Sequence, residues 1–316
     1  MQVSAAEHRY EWVEKWAKIP ESESARNGWA HHDIVVSESG RVYSFHQADP
    51  TVLVFDEQGN ITGSREATVK NAHGMSIVKE GDEEFLWLAD NLSGKVIKTT
   101  LDGQLVMSVE RPDLDVYREG KYSPTGTAVN EERFGGNGDI YVTDGYGSSY
   151  VHRYDRDGKY ISSINGEEGE GGRLATPHGI WIDTRKSEPE LYISDRSNGQ
   201  VQVYGMAGDF HRAFGTGPGQ DWLHSPSGFA QWGNYMLVSE LRGSRVTILD
   251  GDDNLVGYLG ENTGAFKLKE NWPNVDHATL EEGKFSSPHG MAVDPAGNIY
   301  VAEWLIGGRI NKLVRL

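Results

Sequence analysis

One eight-residue phrase recurs six times along the chain, and this recurrence limits the fold more than any other feature. It reads SPHGMAVD at 287–294, NAHGMSIV at 71–78, TPHGIWID at 176–183 and AHHDIVVS at 30–37. Two further copies, SPTGTAVN at 123–130 and SPSGFAQW at 225–232, lack the imidazole. The third position of each copy is His32, His73, Thr125, His178, Ser227 and His289, with gaps of 41, 52, 53, 49 and 62 residues. Such a period, ending in short alternating apolar runs, marks one repeated unit that buries its apolar face against its neighbours.

Each unit reads as four strands. In the fourth these are HGIWID, ELYISD, QVQVYG and DFHRAFG. Asp-Gly pairs at 102–103, 157–158 and 250–251 fall between third and fourth strands, where hairpin turns favour them. The spacing predicts an all-β fold, a six-bladed β-propeller formed by residues 1–316 as a single domain. The run YEWVEKWAKI at 10–19 has no repeat of its own. It is expected to close the last blade, with 8–20 as the outer strand beside RINKLVRL, because closure removes exposed sheet edges.

Composition narrows the partners. Acidic residues outnumber basic ones 47 to 30, a formal charge of −17, which repels phosphate backbones and attracts cations. No nucleic-acid partner is expected. The chain has no cysteine, so thiolate metal sites and disulfides are ruled out, in keeping with a reducing compartment. MQVSAAEHRYEW lacks a signal-peptide core and no later run approaches a membrane span, so a cytoplasmic protein without membrane contact is expected. Oligomeric state is not readable from the sequence.

In an up-and-down blade, the start of the first strand and the turn after the second lie on one face. His73, His178 and His289 come from alternate units, about a third of a turn apart. Three imidazoles can therefore converge on the axis and leave coordination positions free, the arrangement of a catalytic zinc-type site. Manganese or iron would also suit, whereas calcium prefers oxygen. His32, from the unit between His289 and His73, is a fourth ligand or a partner behind the ligands. A lone histidine in this turn would more often bond neighbouring backbone; it is the alternation that favours a metal.

The same face receives the residues after each second strand: His46, Asp90, Asp144 to Tyr146, Asp195 with Arg196, Glu240, and Glu303 with Trp304. The recurring acids are expected to cap backbone N–H groups. Tyr146 and Arg196 are less uniform. A phenol beside a metal and a guanidinium can ionise more easily and serve as a general base. His46 and Trp304 are candidate substrate contacts, and the long insertion 261–286 is expected to form a wall or lid.

At these residues the chain resembles NHL-repeat propellers over essentially its whole length, and more closely the peptidyl-α-hydroxyglycine α-amidating lyases. NAHGMSI, YVTDGYGSSYVHRYDRDGKYI, TPHGIWID with YISDRSNGQVQVY, and SPHGMAVDPAGNIYVAE carry the resemblance. It implies zinc on His73, His178 and His289, Tyr146 as base and Arg196 assisting. The implied reaction cleaves a carbinolamide C–N bond without hydrolysis. Gln47 stands where the family has an arginine that holds substrate, and Gly290 where it has an aspartate for structural calcium. Gly147 replaces a disulfide cysteine. The metal and base carry over; the calcium and the carboxylate anchor do not.

These readings favour a metal-dependent lyase that cleaves a C–N or C–O bond at a carbinol-type carbon of a small uncharged or sugar-derived molecule, with Gln47 among its contacts. One alternative is a metal-dependent hydrolase or lactonase of the gluconolactonase-like type, although three histidines argue against its oxygen-rich site. Another is a non-catalytic NHL binding propeller, which gives no reason for alternate-blade histidines.

Overall fold

The computed structural model describes every residue except 21, 29–31, 47–50, 67 and 218. The chain is a six-bladed β-propeller built from antiparallel sheets, five of four strands and one of five. It divides into two compact units, 1–66 with 227–316, and 67–226.

In the unit 67–226 the first sheet runs Ala72–Glu80, Glu83–Asp90, Lys95–Thr100 and Leu105–Val109. The second runs Gly126–Val129, Ile140–Thr143, Val151–Tyr154 and Tyr160–Ile164. The third runs Pro177–Asp183, Glu190–Asp195, Gln200–Gly205 and Phe210–Phe214. Middle strands such as Glu190–Asp195 are buried throughout, because both faces of a blade are covered by neighbours. Val78, Trp87, Val142 and Tyr154 fill the space between the first two sheets. Tyr141, Ile164, Leu191 and Tyr204 fill that between the second and third.

In the other unit the first repeat forms Ile34–Val36, Val42–His46, Thr51–Phe55 and Ile61–Glu66. The fifth repeat forms Pro226–Trp232, Tyr235–Glu240, Arg245–Leu249 and Leu255–Leu259. The sixth repeat forms Pro288–Val293, Ile299–Glu303 and Arg309–Arg315. The N-terminal strand His8–Val13 pairs with this last strand, Trp12 opposite Leu313, and closes the blade as expected. The closing strand is shorter than 8–20, since the chain turns away at Lys15, and Gln2–Ala5 adds a fifth strand outside it. Trp12 and Phe285 anchor one core, Trp16, Phe55 and Tyr300 another. The insertion 261–286 is pinned in place: the Trp272 indole donates to the Ser286 carbonyl at 2.9 Å, and Asn274 Oδ1 accepts the Ile306 N–H at 3.0 Å.

Candidate metal and acid–base site

The histidine strands share a local distortion. The ladder to the second strand skips between Ala72 and Gly74, between Pro177 and Ile180, and between Pro288 and Gly290. Each skip falls at a histidine, whereas the strand after Thr125 pairs without interruption. A bulge adds one residue on one strand and re-aims its side chain. The glycines that follow His73 and His289 have a steric reason. A Cβ on Gly74 would lie 2.3 Å from the Thr125 carbonyl, and one on Gly290 would lie 2.5 Å from the Asp33 Cα.

That close approach lets the next repeat hold the ring. His73 Nδ1 lies 2.8 Å from the Thr125 carbonyl, and His289 Nδ1 lies 3.1 Å from the His32 carbonyl. A carbonyl can only accept, so each Nδ1 carries the proton and each Nε2 presents a lone pair. Backbone acceptors of this kind orient metal-binding imidazoles.

The Nε2 atoms of His73 and His178 lie 3.1 Å apart. The Tyr146 hydroxyl sits 3.2 Å from the first and 3.0 Å from the second. Arg196 Nη1 donates to the same hydroxyl at 3.0 Å, with the guanidinium 5.2 Å from the ring centroid. The His73 Nε2 lone pair thus faces both the Tyr146 hydroxyl and the His178 ring. Burial pushes the Tyr146 phenol above its ordinary range, and the Arg196 charge and hydrogen bond pull it back. The phenolate is therefore reached only with cationic help.

The lone pair that each carbonyl-held ring presents suits a bound cation. His73 and His178 are buried in the unit 67–226 and His289 is buried in the other unit, each with a ring nitrogen to offer. Nitrogen donors fit zinc or another borderline metal better than calcium.

Three candidates, His32, His46 and Trp304, have other surroundings. His32 Nδ1 lies 2.9 Å from Ser44 Oγ and 3.1 Å from the Asp33 carbonyl, while the His32 backbone carbonyl holds His289. His46 is buried at the end of Val42–His46, opposite Thr51. Trp304 is half-buried, and Ser287 ties its backbone at N–H and carbonyl. Gln47 lies outside the described residues. Asp90, Asp144, Asp195 and Glu303 cap backbone as expected, reaching back to the segment before the first strand, whereas Glu240 accepts from Arg245 and Thr247. Asp144 accepts Ser123 N–H at 2.6 Å, Asp195 accepts Ala175 N–H at 2.7 Å, and Glu303 accepts Ser286 N–H at 2.6 Å. Burial raises Asp144 and Asp195 despite these bonds.

Sequence reasoning missed the support beneath Tyr146. Tyr117 donates to Asp144 Oδ2 at 2.7 Å and receives His152 Nε2 at 2.6 Å, while His152 Nδ1 meets Ser163 Oγ at 2.8 Å. Tyr117 lies between repeats and His152 on a third strand, so no periodic position marked them.

Buried histidines also set an acid limit. Burial lowers His32 from 6.5 to about 4, with the Asp33 carbonyl opposing and His46 adding to the shift. Burial takes His152 from 6.5 to about 3. The unfolded chain binds these protons more readily. Their contribution is thus intact above pH 6.5 and is lost as pH falls towards 4 and then 3. Urea unfolding at pH 7, 6 and 5 should show stability falling by up to about 1.4 kcal/mol per pH unit for each group. His152→Gln should flatten the slope; an unchanged slope would remove His152 from this account.

No protein-family profile matches the chain. Among curated proteins it is 28% identical to human NHL repeat-containing protein 3, over 95% of this chain and 83% of that protein. It is 27% identical to peptidyl-alpha-hydroxyglycine alpha-amidating lyase 1 of Drosophila melanogaster, over 77% of this chain and 44% of that protein. Among solved structures, a streptogramin B lyase superposes with a TM-score of 0.63 at 16% identity, covering 99% of this chain and all of that one. A gluconolactonase from Xanthomonas campestris superposes at 0.62 and 17%, covering both chains fully. Identities this low in the two structures speak for the fold alone. The chain is thus a six-bladed β-propeller with relatives among NHL-repeat proteins and peptidyl-α-hydroxyglycine α-amidating lyases.

Proposed function

We propose that the protein is a metal-dependent lyase acting on a small molecule with a carbinol-type carbon, uncharged or sugar-derived. The observation that carries this is Tyr146: its hydroxyl touches two imidazole Nε2 atoms and a guanidinium at 3.0 to 3.2 Å. His73, His178 and His289 would hold the metal, which when bound supplies positive charge that favours an oxyanion. The amidating-lyase relatives support the reaction class.

In this reading Tyr146 enters as the phenolate, stabilised by Arg196, and becomes the phenol as it takes the proton from the carbinol hydroxyl. The carbinol C–O bond becomes a carbonyl as the C–N or C–O bond to the leaving group breaks. The leaving atom regains the proton, so no water is consumed. The carbonyls of Thr125 and His32 keep the His73 and His289 rings from rotating.

The test uses α-hydroxyhippurate and its uncharged amide, α-hydroxyhippuramide, in H2 18O. The expected outcome is unlabelled benzamide from the amide substrate; labelled benzoate would instead mark a hydrolase. Tyr146→Phe is expected to lower kcat by about 10² to 10⁴ while metal content stays at the wild-type level. A Tyr146→Phe enzyme with unchanged kcat would end the assignment of the base.

A further inference from the structure

A groove in the unit 1–66 with 227–316 has no part in the chemistry above. Its volume is about 690 Å³, within the usual range of small-molecule sites. Residues of three segments enclose it: 15–20 with 25–26 after the closing strand, 274–277 of the long insertion, and the turn 306–310. Ile19, Pro20, Val275, Ile306 and Ile310 supply an apolar surface.

The polar lining is unusual for a chain of charge −17. Lys15 and Arg26 both line the groove, and among the described residues neither side chain has an ion-pair or hydrogen-bond partner. Asn274 faces it as well, with Oδ1 taken by the Ile306 N–H, so its amide NH2 is the remaining donor. The acid in the lining, Asp276, already accepts the Ala278 N–H at 2.9 Å.

Lys15 is held there against its backbone preference. Its φ is 47°, a left-handed conformation that a side chain disfavours, and its N–H donates to Asn311 Oδ1 at 2.9 Å. Arg26 lies in the last turn of the short helix Glu23–Asn27, whose start is capped by Ser22 Oγ accepting the Ala25 N–H at 3.1 Å. Two cations and an amide donor above an apolar surface match a carboxylate on an apolar body.

We propose that this groove binds small amphiphilic carboxylates. The site goes beyond the lyase reading, because none of His73, His178, Tyr146 and Arg196 lines it.

Calorimetric titration of decanoate and decanamide into the full chain tests the proposal. Decanoate should bind, and decanamide should bind at least about tenfold more weakly, since it keeps the tail and lacks the charge. Arg26→Gln and Lys15→Gln should each weaken decanoate by about three- to tenfold, and the double variant by more. Lys18→Gln, a surface cation outside the lining, and His178→Ala should leave decanoate affinity unchanged. Equal affinity for the two probes would overturn the site, as would full decanoate affinity in the double variant. Loss of binding in His178→Ala would overturn it too, by moving the ligand to the histidines. Metal content measured on the same samples reports separately on the lyase reading.

Discussion

Replacing His178 by alanine is expected to strip the protein of divalent metal and to abolish turnover, while the blades stay folded. The ring is one of the three proposed ligands, and its Nε2 also touches the Tyr146 hydroxyl at 3.0 Å. Two imidazoles hold a borderline metal far more weakly than three, so elemental analysis should fall from near one equivalent to a trace. His73→Ala should behave alike, because its Nδ1 is already oriented by Thr125. Thermal unfolding separates loss of the site from loss of the fold: the melting point should move towards that of chelator-treated wild type and no further. If wild type, purified without chelator, carries no metal, or if His178→Ala retains it, the site has another purpose.

The second large effect concerns stability. Arg309 is fully buried, and it contacts Glu303, Glu14 Oε1 at 3.0 Å and the Lys284 carbonyl at 2.9 Å. Glu303 in turn accepts the Ser286 and Ser287 N–H groups and the Asn311 amide. Burial opposes the charge on Arg309, but Glu303 more than compensates and raises its pKa. Arg309→Met would leave Glu303 charged and buried without its main partner. The expected cost is about 3–5 kcal/mol, read as a lower denaturant midpoint at unchanged slope. Arg309→Met with Glu303→Gln should be milder, since no bare charge remains. A loss below about 1 kcal/mol in the single variant would show that water reaches the pair. The same pair ties down the residues just before His289, so the variant should also bind metal less tightly.

How much of this was legible beforehand depends on the kind of interaction. Repeats, alternation and Asp-Gly turns are local, so the blade strands could be read directly. The length of the closing strand could not, because left-handed Lys15 and its Asn311 bond depend on a strand 296 residues away. The histidine spacing named the candidates but not their setting. The bulges, and the carbonyls of Thr125 and His32 that orient two rings, join residues 52 and 257 positions apart. Glycine after histidine could be read as a repeat signature; its cause, a backbone pressed against the next repeat, could not. Tyr117 and His152 carried no periodic mark at all.

Periodicity and residue type alone therefore determined the class of fold, the number of blades and the three imidazoles, because these follow from patterns within one repeat. Tertiary structure alone decided which nitrogen His73 and His289 present, that Tyr146 meets His73, His178 and Arg196, and that Lys15 and Arg26 face one groove. Those facts depend on distances between repeats, and no single repeat contains them.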